Sequence, residues 1–206
     1  MTQLILASSS VYRKKLLDRL KIEFKVVNPK MVEVRLESET AYETAERLSE
    51  EKARKVSNEF QEAIIIGCDQ TAEYNGIQIQ KPLDQKSAVL QLTKLSNQIV
   101  NFYSAICLFH KKKNIIQKKV ISFDVKYRDL GLSEIESYLN KEKPFNCVGS
   151  IKSEGLGIAL LEEINSNDPT AIIGLPLITL VSMLKKVGIH INDQKWNTEH
   201  AFFPHK

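Results

Sequence analysis

Apolar residues along this chain alternate between short continuous runs and helical spacings, and the alternation predicts the elements. Leu4-Ile5-Leu6-Ala7 is an apolar run of strand length, followed by Ser8-Ser9-Ser10 and then by Leu16, Leu17 and Leu20 at helical spacing. This reads as strand, polar turn, helix. Phe24-Lys25-Val26-Val27 predicts a second strand ending at Pro29, and Tyr42 to Val56 a helix with Ala45, Leu48, Lys52 and Val56 along one face. Thr40 and Glu43 offer that helix a capping box. Ala63-Ile64-Ile65-Ile66-Gly67 predicts a buried strand running into Cys68-Asp69-Gln70, and Asn75-Gly76 marks a hairpin between Thr71–Tyr74 and Ile77–Gln80.

Beyond the hairpin, Ser87 to Leu95 is helical in pattern, with Ala88, Leu92 and Leu95 inward. The β-branched and aromatic content of Ile99–Phe109 and Ile115–Tyr127 predicts two long antiparallel strands joined at a lysine-rich tip. A helix at about Leu132 to Leu139, a glycine-punctuated loop from Gly149 to Gly157, a strand over Gly157–Glu162 and a helix over Pro176 to Lys186 complete the pattern, with Gly188 just past the last helix. Helices and strands alternate early and long antiparallel strands follow. The order predicts an α/β fold with a mixed sheet, in two lobes around a cleft.

The chain has 206 residues, 43% hydrophobic and 26% charged, enough for one sizeable core. The start is apolar for only four residues and lacks a basic leader region, which makes a cytoplasmic location the default expectation. Cys68, Cys107 and Cys147 are widely spaced without a CxxC pair, so reduced thiols are expected rather than disulfides or a zinc site. A net charge of +4 attracts polyanions without naming one. Lys111-Lys112-Lys113 with Lys118-Lys119 reads as the solvated tip of a hairpin rather than as a nucleic-acid surface, and no membrane partner is expected.

Several residues could carry chemistry. A strand that turns through Ser8-Ser9-Ser10 into a helix leaves backbone N–H groups free at a positive helix end, which binds phosphate, and Arg13 could add a fork to a phosphate oxygen. Plain serine capping explains the same residues equally well. Asp69, after a buried strand, could hold Mg²⁺ or take a proton from water, or could cap a turn. Lys52 lies on an apolar helix face, where a lysine needs a partner or must snorkel to solvent. Lys81-Pro82 places a lysine either in solvent at a turn or facing the cleft. Cys68 has no histidine near it in sequence, and a packed thiol is the simpler reading.

Leu4 to Ser10 with Arg13, Arg47-Leu48 with Lys52-Ala53, Ile66 to Gln70, Gly76 with Lys81-Pro82-Leu83, Ser153 to Gly157, and Ile172 to Leu177 follow one another in order. On these blocks the sequence resembles the Maf family of nucleotide pyrophosphatases from Leu4 to about Gly188. The resemblance implies a Maf or inosine triphosphate pyrophosphatase-like fold in one catalytic domain over residues 1–190, with a tail over 191–206. It also implies homodimers, and cleavage between the α- and β-phosphates of a nucleotide with a divalent cation, Mg²⁺ or Mn²⁺. Asp69 matches the general base. Ser8, Arg13, Lys52 and Lys81 match phosphate-binding positions, and Glu33 matches a metal-binding position shared with Asp69. Tyr12, Gln70 and Glu154 fall where the family varies with substrate, and Gln70 with Glu154 resembles the branch that cleaves 7-methyl-GTP rather than dTTP and UTP.

Physical chemistry supports that branch. N7-methylated guanine is cationic, so Tyr12 can stack on it with a cation–π contribution and Glu154 can accept from its N–H edge. The chain departs from the family pattern at Val11-Tyr12, where Pro-Trp is usual, at Val32-Glu33, where Asp-Glu is usual, and at Ser104-Ala105, where Thr-Gly is usual. Tyrosine stacks more weakly than tryptophan, and Val32 removes a carboxylate near Glu33. Two other readings stand beside this one: the same chemistry on dTTP or UTP, and a non-catalytic regulator of septum formation.

Overall fold

A computed structural model describes residues 3–191, so the reading of the tail from Asn192 onward lies outside the described residues. Its strands are β1 (Leu4–Ala7), β2 (Lys25–Val27), β3 (Ile64–Tyr74), β4 (Ile77–Gln78), β5 (Ile99–His110), β6 (Ile115–Tyr127) and β7 (Leu161–Asn165). Its helices are α1 (Val11–Asp18), α2 (Ala41–Ser57), α3 (Gln85–Leu95), α4 (Leu132–Glu142) and α5 (Leu177–Lys186). They build one seven-stranded mixed sheet in the order β2-β1-β3-β5-β6-β7, with β4 paired to β3. The first three strands of that order run parallel, and β3, β5, β6 and β7 pair antiparallel. The predicted mixed α/β class is therefore the observed one. Among the described residues no helix is long and apolar enough to cross a membrane.

Local chemistry places most boundaries where the pattern put them. Thr40 and Glu43 form the reciprocal capping box at the start of α2. Asn75 and Gly76 both have positive φ, 53° and 73°, as a tight hairpin turn between antiparallel strands requires. Two expectations are corrected. Gly157–Glu162 does not form a strand from its start: the N–H groups of Gly155 and Gly157 both donate to the Lys152 carbonyl, drawing the chain into tight helical turns over Leu156–Leu160 before β7 begins at Leu161. Thr71–Tyr74 is no separate strand but the continuation of β3, which runs unbroken for 11 residues.

The alternation of side chains along β3 divides the core. Ile64, Ile66 and Cys68 face α1 and α5, packing with Leu16, Leu17, Leu180 and Leu184. Ile65 faces the other way, into a cluster with Ala53 and Val56 of α2. A third cluster joins β5 and β6 to α3 and α4 through Phe102, Phe123, Leu92 and Leu139.

Contact between α2 and β3 is unusually close at Gly67. A Cβ there would lie 2.0 Å from the Ser49 carbonyl oxygen and 2.9 Å from the Ala53 nitrogen, so the helix backbone occupies the space a side chain would need. Gly67→Ala should therefore push α2 off the sheet and destabilise the protein by about 3 kcal/mol, the upper part of the usual range for overpacking. Urea unfolding measures this directly; an unchanged midpoint would mean that α2 does not rest on the sheet in this way.

Candidate active site

The cleft opens because β1 is short. Its last residue, Ala7, pairs with Gly67, and β3 continues past it toward Asp69 and Gln70 without that parallel neighbour. Asp69 is thus not at the end of its own strand, as the sequence suggested, but just beyond the end of the neighbouring one. Carbonyl oxygens freed there need donors. The Cys68 carbonyl accepts from Arg13 Nη1 at 3.1 Å and from Lys52 Nζ at 3.4 Å.

Strand alternation sends Asp69 toward α2 and Gln70 toward the opposite face. On the α2 side, Lys52 Nζ lies 2.5 Å from Asp69 Oδ1 and 2.6 Å from Glu33 Oε1. Lys52 is only 4% exposed and Asp69 5%, so the snorkelling alternative is not what the structure adopts. Lys81 completes the row, with Nζ 3.3 Å from Glu33 Oε2. On the other face, Gln70 Nε2 donates to Ser104 Oγ and to the carbonyls of Ala171 and Ile172 at 3.0–3.1 Å. That fixes the side-chain amide against the segment preceding α5.

The two carboxylates that share the Lys52 ammonium are driven apart in acidity. Burial works against the charge of Glu33, but Lys52 and Lys81 more than offset it and hold its carboxyl at about 2. At Asp69 burial is the largest influence and raises the carboxyl above its ordinary value, while Lys52 and Arg13 pull against the rise and Glu33 adds to it. A firmly ionised carboxylate beside one displaced toward neutrality is an arrangement suited to charge stabilisation by the first and proton transfer by the second.

Around this floor the cleft has a volume of about 800 Å³, room for a ligand of nucleotide size. Ser8, Tyr12, Arg13, Glu33, Lys52, Asp69, Gln70, Lys81 and Glu154 all line it. All nine candidate residues, drawn from distant parts of the chain, therefore meet at one cavity. Ser10 caps α1, accepting from the Arg13 N–H, so the capping reading holds for that serine; Ser8, buried, accepts from the Ser10 N–H. The first intrahelical bond runs from Lys14 to Ser10, which leaves the Val11 and Tyr12 amides outside the helical ladder at the cleft wall. Arg13 is held by backbone carbonyls, Gly174 at 2.9 Å and Cys68, rather than by a carboxylate. Its charge stays available to an anion.

Lys30, Lys143 and Lys152 line the cleft too and escaped notice in the sequence. Only Lys152 carried a signal, standing two residues before Glu154 in the glycine-punctuated loop. With these, six cationic side chains face three carboxylates among the described residues, and the excess favours a polyanion. A larger depression of about 1100 Å³ lies at the other end of β1, bounded by Lys14, Asp18, Glu23 and Lys25. It mixes both signs at its rim and does not include the buried Lys52–Asp69 pair, so the smaller cleft is the candidate site.

Among the described residues no group of three or more His, Cys, Asp or Glu side chains is poised to hold a metal ion. Glu33 and Asp69 nevertheless converge on one point, now filled by the Lys52 ammonium. Two carboxylates fit Mg²⁺, which commonly takes one or two from the protein and completes its shell with substrate phosphates and water.

Comparison with known proteins gives a consistent picture. The profile of the family described as "Maf-like protein" matches residues 3–187. The chain is 48% identical over 191 residues to a protein of Methylobacillus flagellatus named 7-methyl-GTP pyrophosphatase, covering 93% of this chain and 100% of that one. It is 48% identical over 189 residues to a protein of the same name from Nitrosospira multiformis, covering 92% and 96%, and 47% identical to one from Paraburkholderia xenovorans, covering 90% and 92%.

Cys68 adjoins Asp69 but offers no nucleophile. Complete burial pushes its thiol up to about 11. At pH 8 an alkylating reagent should modify Cys68 in the native protein at least about 100-fold more slowly than a free thiol, since both the thiolate fraction and access are reduced. Peptide mapping after timed alkylation reads this out, and rapid labelling of Cys68 would reopen covalent chemistry at this site.

Proposed function

The chain belongs to the Maf-like protein family, and from that premise we propose that it hydrolyses 7-methyl-GTP to 7-methyl-GMP and pyrophosphate. The observation that carries the reading is the buried Lys52 ammonium shared by Asp69 and Glu33 at the floor of a cleft with excess positive charge. Relatives of the same name over nearly the full length of the chain support the choice of substrate.

In this reading the triphosphate lies along Arg13, Lys81 and the amino end of α1, which take up its negative charge. Ser8 adds a hydroxyl beside them. Asp69, its carboxyl raised by burial, accepts a proton from the water that attacks the α-phosphorus. The bond from that phosphorus to the bridging oxygen breaks, and pyrophosphate leaves with the oxygen. Lys52 neutralises Asp69 and Glu33 and supplies a cation beneath the phosphates, and its ammonium would move aside for a metal ion held by the same two carboxylates. A bound Mg²⁺ or Mn²⁺, held by Glu33 and Asp69, would polarise the phosphoryl oxygens and offset the charge that develops on them. Geometry of this kind works by position and electrostatics more than by covalent chemistry.

Tyr12 and Glu154 select the base. Tyr12 presents a ring to a cationic purine, and Glu154, exposed at the cleft, offers a carboxylate to its N–H edge. Gln70 supports them from the floor, its amide fixed by Ser104 and two carbonyls. With the same reading go a homodimer and a cytoplasmic setting, with no membrane or nucleic-acid partner.

Pyrophosphate release across methylated and ordinary triphosphates tests the proposal. With Mg²⁺ present, 7-methyl-GTP should be cleaved, and Asp69→Asn should slow the reaction at least about 100-fold, the lower end of what a positioned base contributes. No turnover of any triphosphate would overturn the enzyme reading and favour a non-catalytic regulator; preference for dTTP and UTP would overturn only the substrate. Glu154→Ala should weaken turnover of 7-methyl-GTP more than that of pyrimidine nucleotides, and equal losses would make Glu154 a structural residue.

A further inference from the structure

The last residue of α4, Glu142, closes the loop that carries Glu154 back onto the helix. Its Oε1 accepts from the Leu156 N–H at 2.9 Å, and its Oε2 lies 2.9 Å from Lys152 Nζ. Lys152 Nζ also donates to the Glu142 carbonyl at 3.1 Å. The carboxylate sits where a side chain at position 155 would go: a Cβ on Gly155 would lie 2.6 Å from Glu142 Oε1. Glu142 is held ionised, its carboxyl lowered first by the Leu156 amide and then by Lys152.

Lys152 has a second neighbour. Its ammonium stands 5.6 Å from the centre of the Tyr12 ring, the ring assigned above to stacking the base. A full positive charge in that place opposes a cationic base, and the Glu142 carboxylate is the ion-pair partner that cancels it. With Glu142 ionised, the pair contributes no net charge and Glu154 sets the sign at the base. Without it, Lys152 would repel N7-methylguanine and leave neutral guanine nearly unaffected.

We propose that Glu142 is a specificity-determining positioning residue: by neutralising Lys152 beside Tyr12 and clipping the Leu156 amide, it makes the cleft permissive to a positively charged base. The inference rests on the base-site reading in the preceding section. It adds a carboxylate outside the cleft lining that acts through Lys152.

Equilibrium binding of 7-methyl-GMP and GMP tests it independently of turnover, because the two ligands differ at the base by a methyl group and a charge. Glu142→Gln keeps an oxygen to accept from the Leu156 N–H and removes only the charge. The ratio of Kd values should shift against 7-methyl-GMP by about five- to tenfold at low salt, with GMP changed less than about twofold, and the shift should shrink as salt rises. Lys152→Gln should move the ratio the other way, and the double variant E142Q/K152Q should return it close to the wild-type value. Equal weakening of both ligands by E142Q would make Glu142 a purely structural clip, and a ratio unmoved by either single variant would also overturn the proposal. A wild-type protein that prefers 7-methyl-GMP and responds in this way but releases no pyrophosphate would sustain the base-site inference while defeating the hydrolytic reading. One that shows no preference at all would defeat both the base assignment and the inference.

Discussion

A lysine ammonium taken out of water must be surrounded by compensating charge, and Lys52 meets that demand with Asp69 on one side and Glu33 on the other. The requirement works in both directions. Asp69 is itself buried, and without Lys52 it would be a lone carboxylate in the protein interior; Glu33 belongs to the irregular segment between β2 and α2 and is drawn to the cleft by the same ammonium and by Lys81. One cation therefore joins a helix, a strand and a loop. It also fixes the unequal acidities that distinguish a permanently charged carboxylate from one suited to moving a proton.

That contact is available only because α2 lies almost on the backbone of β3. Gly67, two residues before Asp69 and on the same face, lets the helix approach until Ser49 and Ala53 fill the space of a side chain. The site also needs the sheet to be incomplete at this point. Where β1 stops at Ala7, the next turn carries Ser8 and the start of α1, and the freed Cys68 carbonyl is taken up by Arg13 and Lys52. Side chains from both faces of β3, Asp69 and Gln70, can then reach one cavity past the end of the missing neighbour. On the far wall, Glu142 and Lys152 join the end of α4 to the loop bearing Glu154 and bring it against Tyr12.

Periodicity and turn chemistry were enough to locate each of the five α-helices among the described residues and most of the strands, since those signals are local. Ala41–Ser57 announced itself through a capping box and a regular apolar face, and the β4 turn through Asn75-Gly76. The region from Gly149 to Leu161 was harder to read. Apolar residues there suggested a strand, but Leu156 and Ile158 are exposed and the backbone closes on the Lys152 carbonyl instead, with the Leu156 N–H taken up by Glu142 at the end of α4. The run from Ala63 to Tyr74 looked like two strands because polar residues begin at Asp69; in the fold they are polar because the cleft begins there.

The candidate residues divide in the same way. Asp69 after an apolar run, Arg13 after a serine turn and Lys52 on an apolar helix face were all visible as residues out of keeping with their surroundings, and their order along the chain was sufficient to show the family resemblance. Sequence alone thus determined the α-helices, most of the strands, the family and the nine candidate residues, because each depends on neighbours within a few residues or on the order of short blocks. Only the tertiary structure decided that Lys52 is shared rather than solvated, that Gln70 and Asp69 serve one cavity from opposite faces, and that Glu142 neutralises Lys152 beside Tyr12. Those are pairings between residues 10 to 140 positions apart. Whether a charge is paired, buried or free depends on which groups the fold brings within a few ångströms of it.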